Sequence, residues 1–347
     1  MTKLIRIGVD TSKSVFQLHG VDEAEQPLLR KKLRRAQMMA FFAKLEATKI
    51  GMEACGASHH WARELEALGH EVVLLPPQYV KAYLKRGKND AADAEAICEA
   101  MSRPTMRFVP VKDAHRQAAQ MLIGLREAAL RHRTRVSNTI RGHAAEFGLV
   151  VPKGLAHIEP LLERAAADEM LPLLAREMFA LLAEQFRRVD AEAKAITAKL
   201  MAYHRDHEQS RRLAEVPAIG PIGAANLTIK VVDPKAFRSG RDFAAWLGLT
   251  PKDHSTAGKT RLGVITRAGD EALRCLLVSG AMAVIQQANR GRGHRPAWLV
   301  ELLKRKTLKQ AAVALANKTA RIAWKLMVSG ERYQQPLQEI STAPASA

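Results

Sequence analysis

Cysteine is scarce: the three in 347 residues, Cys55, Cys98 and Cys275, are odd in number and far apart. That excludes a disulfide framework and a zinc knuckle, and it suits a reducing cytoplasm. Long apolar runs are missing too. No segment approaches the ~18 uninterrupted apolar residues that a membrane span needs, and the opening MTKLIRIGVD is broken by charge, so neither a membrane anchor nor a signal peptide is expected. Acidic residues fall short of basic ones, 35 Asp plus Glu against 54 Lys plus Arg, for a formal charge of +19. A field of that sign attracts polyanions and makes non-specific nucleic-acid binding strongly salt-dependent. Charge by itself does not separate a nucleic-acid enzyme from a passive basic binder.

What is present is enough apolar material, 47 % of the chain, for two or three modules with their own cores. LIRIGVD from Leu4 to Asp10 reads as a buried strand and Val15–Gly20 as a second, close enough to form a hairpin. A basic strand follows at Leu28–Arg34, then an amphipathic helix through Met38, Phe41, Phe42 and Leu45. Next come a strand at Lys49–Glu53, a helix from Ser58 to Leu68, a strand at Glu71–Leu75 and a helix starting near Asp90. Three antiparallel strands followed by alternating helix and strand is the ribonuclease H-like plan; a doubly wound fold would place a helix after the first strand.

From Lys112 to about Arg212 glycines are few and the strand signal disappears. Leu122, Leu125, Ala129, Val136 and Ile140 mark one helical stripe, and Leu174, Met178, Leu181, Gln185, Val189, Ile196 and Leu200 another. The prolines and glycine between Val151 and Pro160 suggest the hairpin joining them, and the whole reads as an antiparallel or dimerising coiled coil. Arg126, Arg131, Arg133, Arg135 and Arg141 lie on the first helix, where they either face solvent or meet a phosphate backbone. VPAIGPIGAANL then reads as a glycine-rich turn between two helices, the start of a mainly helical region with a helix-hairpin-helix-like opening. A helix over Phe243–Leu247, a loop from Thr250 to Leu262, a helix over Glu271–Gln287 and basic helices up to Met327 follow, and the tail STAPASA is expected to be disordered. The expected class is therefore α/β plus all-α, divided at 1–111, 112–212, 213–330 and a tail from 331 to 347.

Four acids stand out. Asp10 and Glu53 end strands, and Asp90 and Asp93 open a helix at a spacing that puts both on one face. Converging carboxylates repel one another near neutral pH unless a divalent cation sits among them. Oxygen-only ligands favour Mg²⁺ or Mn²⁺, and phosphodiester chemistry is the natural use. Taken singly, Asp10 is equally suited to capping a turn with Thr11 and Ser12, and Asp90 to being the N-cap of its helix.

The second chemical stretch is WLGLTPKDHSTAGKTRLGVITRAGD. Ser255 lies in a glycine-containing loop among Lys252, Lys259, Arg261 and Arg267, cations that would hold a phosphodiester and offset the charge that builds when a hydroxyl attacks it. The residues alone fit a phosphate-binding loop with an unreactive serine at least as well. His254 is next to Ser255, but adjacent side chains usually diverge, which argues against it as general base.

GVDTSK (8–13), GMEACGASHHWARELEALGHEV (51–72) and KNDAADAEAI (88–97) resemble the N-terminal domain of the IS110 family of insertion-sequence transposases. VPAIGPIGAANL and GLTPKDHSTAGKTRLGVITRAGDEALR resemble that family's C-terminal transposase domain, closest to its IS1111 branch. The resemblance spans nearly the whole chain. It implies a RuvC-like domain whose D-E-D-D metal motif falls on Asp10, Glu53, Asp90 and Asp93, and a serine nucleophile that falls on Ser255. It further implies a bacterial cytoplasmic recombinase, at the nucleoid when on DNA, with double-stranded donor and target DNA and a structured bridge RNA as partners. Homodimers pairing into homotetramers are implied as well, one subunit's metal site meeting another's serine. Where many relatives have two serines before a Gly-Gly pair, this chain has Ser255, Thr256, Ala257 and Gly258, so Ser255 is the serine candidate and Thr256 the alternative hydroxyl. Two rival readings of the residues are a structure-selective nuclease that uses metal-activated water, and a non-catalytic nucleic-acid binder whose acids are surface residues.

Overall fold

The computed structural model describes residues 3–84, 89–292 and 296–334. The chain forms two compact units, Met1–Gln117 and Ala118–Ala347. The tail expected to be disordered lies, from residue 335 on, outside the described residues.

The first unit is built on a five-stranded sheet ordered β3-β2-β1-β4-β5. Its strands are β1 (Arg6–Thr11), β2 (Val15–Val21), β3 (Pro27–Arg34), β4 (Lys49–Glu53) and β5 (Glu71–Leu75). The first three pair antiparallel, while β4 lies parallel to β1 and β5 parallel to β4. Period-two alternation sorts the side chains. Ile7, Val9, Phe16, Leu18, Leu33, Ile50 and Met52 form one core with helices α1 (Met38–Phe42) and α2 (Ser58–Ala67), through Met38, Phe42, Trp61 and Leu65. On the other face Val73 and Leu75 pack with α3 (Pro77–Val80) and α4 (Asp90–Ala100), through Val80, Ala96, Ile97 and Ala100. The helix expected to run through Leu45 stops at Phe42, because Lys44 and Leu45 donate instead to carbonyls three residues back, a tightened end.

Gly8 sets how closely α4 approaches. A Cβ there would overlap the Ala94 carbonyl oxygen and the Cys98 backbone, so the helix rests directly on the β1 backbone. Gly8→Ala is expected to cost about 1–3 kcal/mol through overpacking, read as a lowered Tm, and to weaken whatever depends on the first turn of α4 meeting β1.

The second unit is mostly helical. The long helices α5 (Ala114–Glu146) and α7 (Leu173–Asp206) run antiparallel: Arg126 meets Thr197 and, seven residues on, Arg133 meets Asp190, seven residues back. Only part of each expected stripe is buried. Ala129, Val136 and Ile140 of α5 are buried, as are Phe179, Ala183, Phe186, Val189, Ala193 and Leu200 of α7, whereas Leu125, Leu174, Met178 and Leu181 are exposed. Between the two helices the expected hairpin contains a helix, α6 (Ile158–Ala167). Pro160 sits in its first turn, where a proline removes no helical hydrogen bond, and Ile158, Leu161, Leu162 and Ala165 join the same core as Phe179 and Phe186.

Helices α8 (Glu208–Ala214) and α9 (Pro221–Lys230) pack across a turn. They share a core with α10 (Gly240–Trp246), α11 (Glu271–Asn289), α12 (Ala297–Arg305) and α13 (Leu308–Ser329), in which Leu213, Leu227, Phe243, Leu277 and Leu299 are buried. The segment expected to be a loop after Thr250 is instead a two-stranded antiparallel hairpin, β6 (Pro251–Asp253) and β7 (Leu262–Ile265). Its residues are nearly all exposed, so it lacks the alternation that marks a half-buried strand. Among the described residues no helix is long and apolar enough to cross a membrane.

Candidate active site

The carboxylates converge. Asp10 is in register with the strand pairing at the end of β1, Glu53 ends the adjacent parallel strand β4, and α4 begins at Asp90. One oxygen each from Asp10, Asp90 and Asp93 can be chosen such that all lie within 4.8 Å of one another. Asn89 accepts the amide of Ala91 and is the N-cap, so Asp90 is released from the capping role that it could have filled.

The cluster is electrostatically tense. Burial, then Asp93, Asp90 and Glu53, push the Asp10 carboxyl up to about 6. Burial and Asp93 raise Glu53 as well, and Lys81 partly offsets them. Such a set of oxygen donors suits a hard divalent cation, which would replace mutual repulsion by attraction. Glu53 belongs to the group through this coupling and lies outside the tight trio.

Ser255 sits at the start of the loop between β6 and β7, and it is exposed. Its Oγ accepts the amide of Arg261 at 2.9 Å. The Asp253 carboxylate accepts from the Ser255 hydroxyl and, at 2.8 Å, from its amide, bonds that hold the Asp253 carboxyl below the usual range. Sequence reasoning missed Asp253, although an acid two residues before a serine is the spacing of an Asx turn. Thr256 and Lys259 close a tight turn in which Ala257 and Gly258 have φ of 48° and 77°. Two successive positive φ values define a type I′ turn, which explains why glycine suits both positions and why an alanine there carries strain. The His254 ring lies over Gly263 across the hairpin.

Lys252, Lys259, Arg261 and Arg267 are exposed on or beside this hairpin. Arg126 and Arg133 are turned the other way: Arg126 Nε donates to Thr197 at 3.1 Å, and Arg133 pairs with Asp190 at 2.9 Å. Both remain partly exposed, so the helix pairing orients the two arginines expected to meet a nucleic acid without burying them. Arg131 and Arg135 remain exposed.

Two family models match the chain. One, described as a transposase of the DEDD type for IS110, matches residues 7–147, and the other, "Transposase IS116/IS110/IS902 family", matches residues 210–296. A putative transposase of Sinorhizobium fredii is 62 % identical over 98 % of this chain and 88 % of its own. A probable family 20 transposase of Pseudomonas aeruginosa is 46 % identical over 93 % and 97 %. The transposase of insertion sequence IS1111A from Coxiella burnetii is 35 % identical over 94 % and 91 %. Likeness of this extent, on a chain that draws its acids together at one sheet end, means that the protein belongs to the IS110 family of insertion-sequence transposases, enzymes that cut DNA and transfer its strands.

Proposed function

We propose that this transposase is a recombinase that joins DNA through a phosphoserine link and is guided by a structured RNA. The observation that carries the metal half is the meeting of Asp10, Asp90 and Asp93 within 4.8 Å, with Glu53 coupled to them. Asp10, Glu53, Asp90 and Asp93 would hold Mg²⁺ or Mn²⁺, which supplies charge neutralisation at a phosphodiester. The strand order of the first unit supports a RuvC-like, ribonuclease H-like domain at 1–111. The antiparallel pairing of α5 and α7 supports a coiled-coil segment at 112–212. The serine-bearing domain is 213–330, and its turn between α8 and α9 supports the helix-hairpin-helix-like start.

Ser255 is the nucleophile in this reading. Its oxygen attacks phosphorus, the serine gives up its proton, a serine–phosphate ester forms, and the 3′ hydroxyl of the cut strand leaves. Attack by a 3′ hydroxyl on that ester restores the serine and joins the strands, so no external energy source is needed. Asp253 and the Arg261 amide keep the hydroxyl in one orientation, while Lys252, Lys259, Arg261 and Arg267 neutralise the phosphate. Action on donor and target DNA is supported by the family likeness, and the bridge RNA and dimers pairing into tetramers belong to the same proposal.

Metal titration followed by thermal unfolding tests this. Mn²⁺ is expected to raise Tm at pH 7.5 and to do so much less at pH 5. Asp10 titrates near 6 in the metal-free protein, and protons compete with the ion below that pH by up to about tenfold per unit. Equal shifts at both pH values, or none, would remove the carboxylate site.

A further inference from the structure

The sheet face that carries the acids also carries an unassigned row of cations. Cross-strand register takes Asp10 to Gln17 and Gln17 to Lys32, and takes Val15 to Arg34. Residues opposite one another across antiparallel strands share a face, so Lys32 stands on the side of Asp10, two strand spacings or ~10 Å away. Arg34 lies one step further towards the end of β1 that bears Asp10. The alternate residues Leu29 and Leu33 turn into the opposite core, and Lys31 lies over the Phe41 ring and Arg35 over Trp61 on that opposite side.

β3 is the sheet edge, and Lys32 and Arg34 are exposed. Among the described residues neither takes part in an ion pair. Arg30, on the same face, opens instead on a cavity of about 550 Å³ also lined by Glu95 and by the pairs Arg6–Glu25 and Arg103–Glu99. Of the three cations that β3 presents on this face, Lys32 and Arg34 are thus the two nearer in register to Asp10. Alternate strand residues are ~7 Å apart, close to the spacing of successive phosphates along one nucleic-acid strand.

We propose that Lys32 and Arg34 bind the phosphates of the DNA strand that enters the carboxylate site, a track that rests on the metal-site reading above. Charge would favour the strand at both ends of the path: the cations would hold the phosphates beside the scissile one, and Asp10, Glu53, Asp90 and Asp93 would hold a divalent ion that offsets the charge of the scissile phosphate itself. DNA is the occupant because this face leads to the cutting groups of a DNA-cleaving enzyme.

The test uses the full chain and a short fluorescein-labelled DNA duplex, with an RNA hairpin as the second probe. For Lys32→Gln/Arg34→Gln, the slope of log affinity against log salt for DNA is expected to fall by about 2, near 0.9 for each phosphate that is no longer neutralised, while RNA binding and the Mn²⁺ thermal shift stay as in the parent. Lys31→Gln/Arg35→Gln, which removes the same charge from the opposite face, should leave the DNA slope within about half a unit. An unchanged slope in the first variant, an equal loss in the second, or a loss confined to RNA would each overturn the track. Absence of any Mn²⁺ shift in the parent would instead overturn the metal site.

Discussion

Asp10→Asn is expected to stop DNA cleavage while making the metal-free protein more stable. The loss should reach about a thousandfold or more, because the substitution removes a ligand for the charge that balances the reacting phosphodiester. The gain follows from the raised carboxyl. Asp10 titrates near 6 rather than 3.8, so the folded metal-free protein prefers its protonated form. The favourable contribution is whole below the unfolded value and is lost as pH rises through about 6. Asparagine mimics the protonated state at every pH. The variant should therefore melt a few degrees above the parent at pH 7.5, on the order of 1–3 kcal/mol, and level with it at pH 4. Adding Mn²⁺ should reverse the order at pH 7.5. Full cleavage by the variant, or a lower metal-free Tm at pH 7.5, would show that Asp10 is a structural acid.

Ser255→Ala should be equally severe for recombination and silent in stability. The loop is exposed, and the hydroxyl's partners are the Arg261 amide and Asp253, both open to water once it is gone, so stability should move by less than about 0.5 kcal/mol. The Mn²⁺ shift should be that of the parent. Denaturing gels of reactions on nicked DNA should show a protein-linked strand with the parent and none with the variant. Ser255→Cys, which keeps a nucleophile of similar size, should retain a trace of linkage. If Ser255→Ala still yields linked DNA, the neighbouring Thr256 becomes the nucleophile. If the parent cleaves without ever forming a link, water is the attacking group and the enzyme is a hydrolytic nuclease. Asp253→Asn offers a graded comparison: it keeps the shape of the turn but loses the charge, so the link should form more slowly without disappearing.

Strands β1, β2, β4 and β5 were legible almost residue by residue, because apolar and β-branched runs buried on a sheet carry their own signature in hydrophobicity. Most elements without that signature were not. The hairpin holding Ser255 consists of three- and four-residue strands exposed on both sides, and α6 is hidden behind a glycine and prolines that also write loops. The helices α5 and α7 were visible as helices, but the start of the stripe read on α7 is not its buried face. Packing against α6 buries Phe179, Ala183 and Phe186 instead and leaves Leu174, Met178 and Leu181 outside.

By itself, then, the amino-acid order determined which chemistry is available: four acids at strand and helix ends, a serine among cations, a strongly basic whole and an unmistakable family likeness. Only the tertiary structure decided which of those groups meet. Asn89 takes over the cap and frees Asp90, Gly8 lets α4 touch β1 and carry Asp93 towards Asp10, and helix pairing brings Arg126 to Thr197 and Arg133 to Asp190. The reason is one of range. Propensity and periodicity are properties of neighbours along the chain, whereas a charge acts on whatever lies within several ångströms in space, and packing alone chooses those companions.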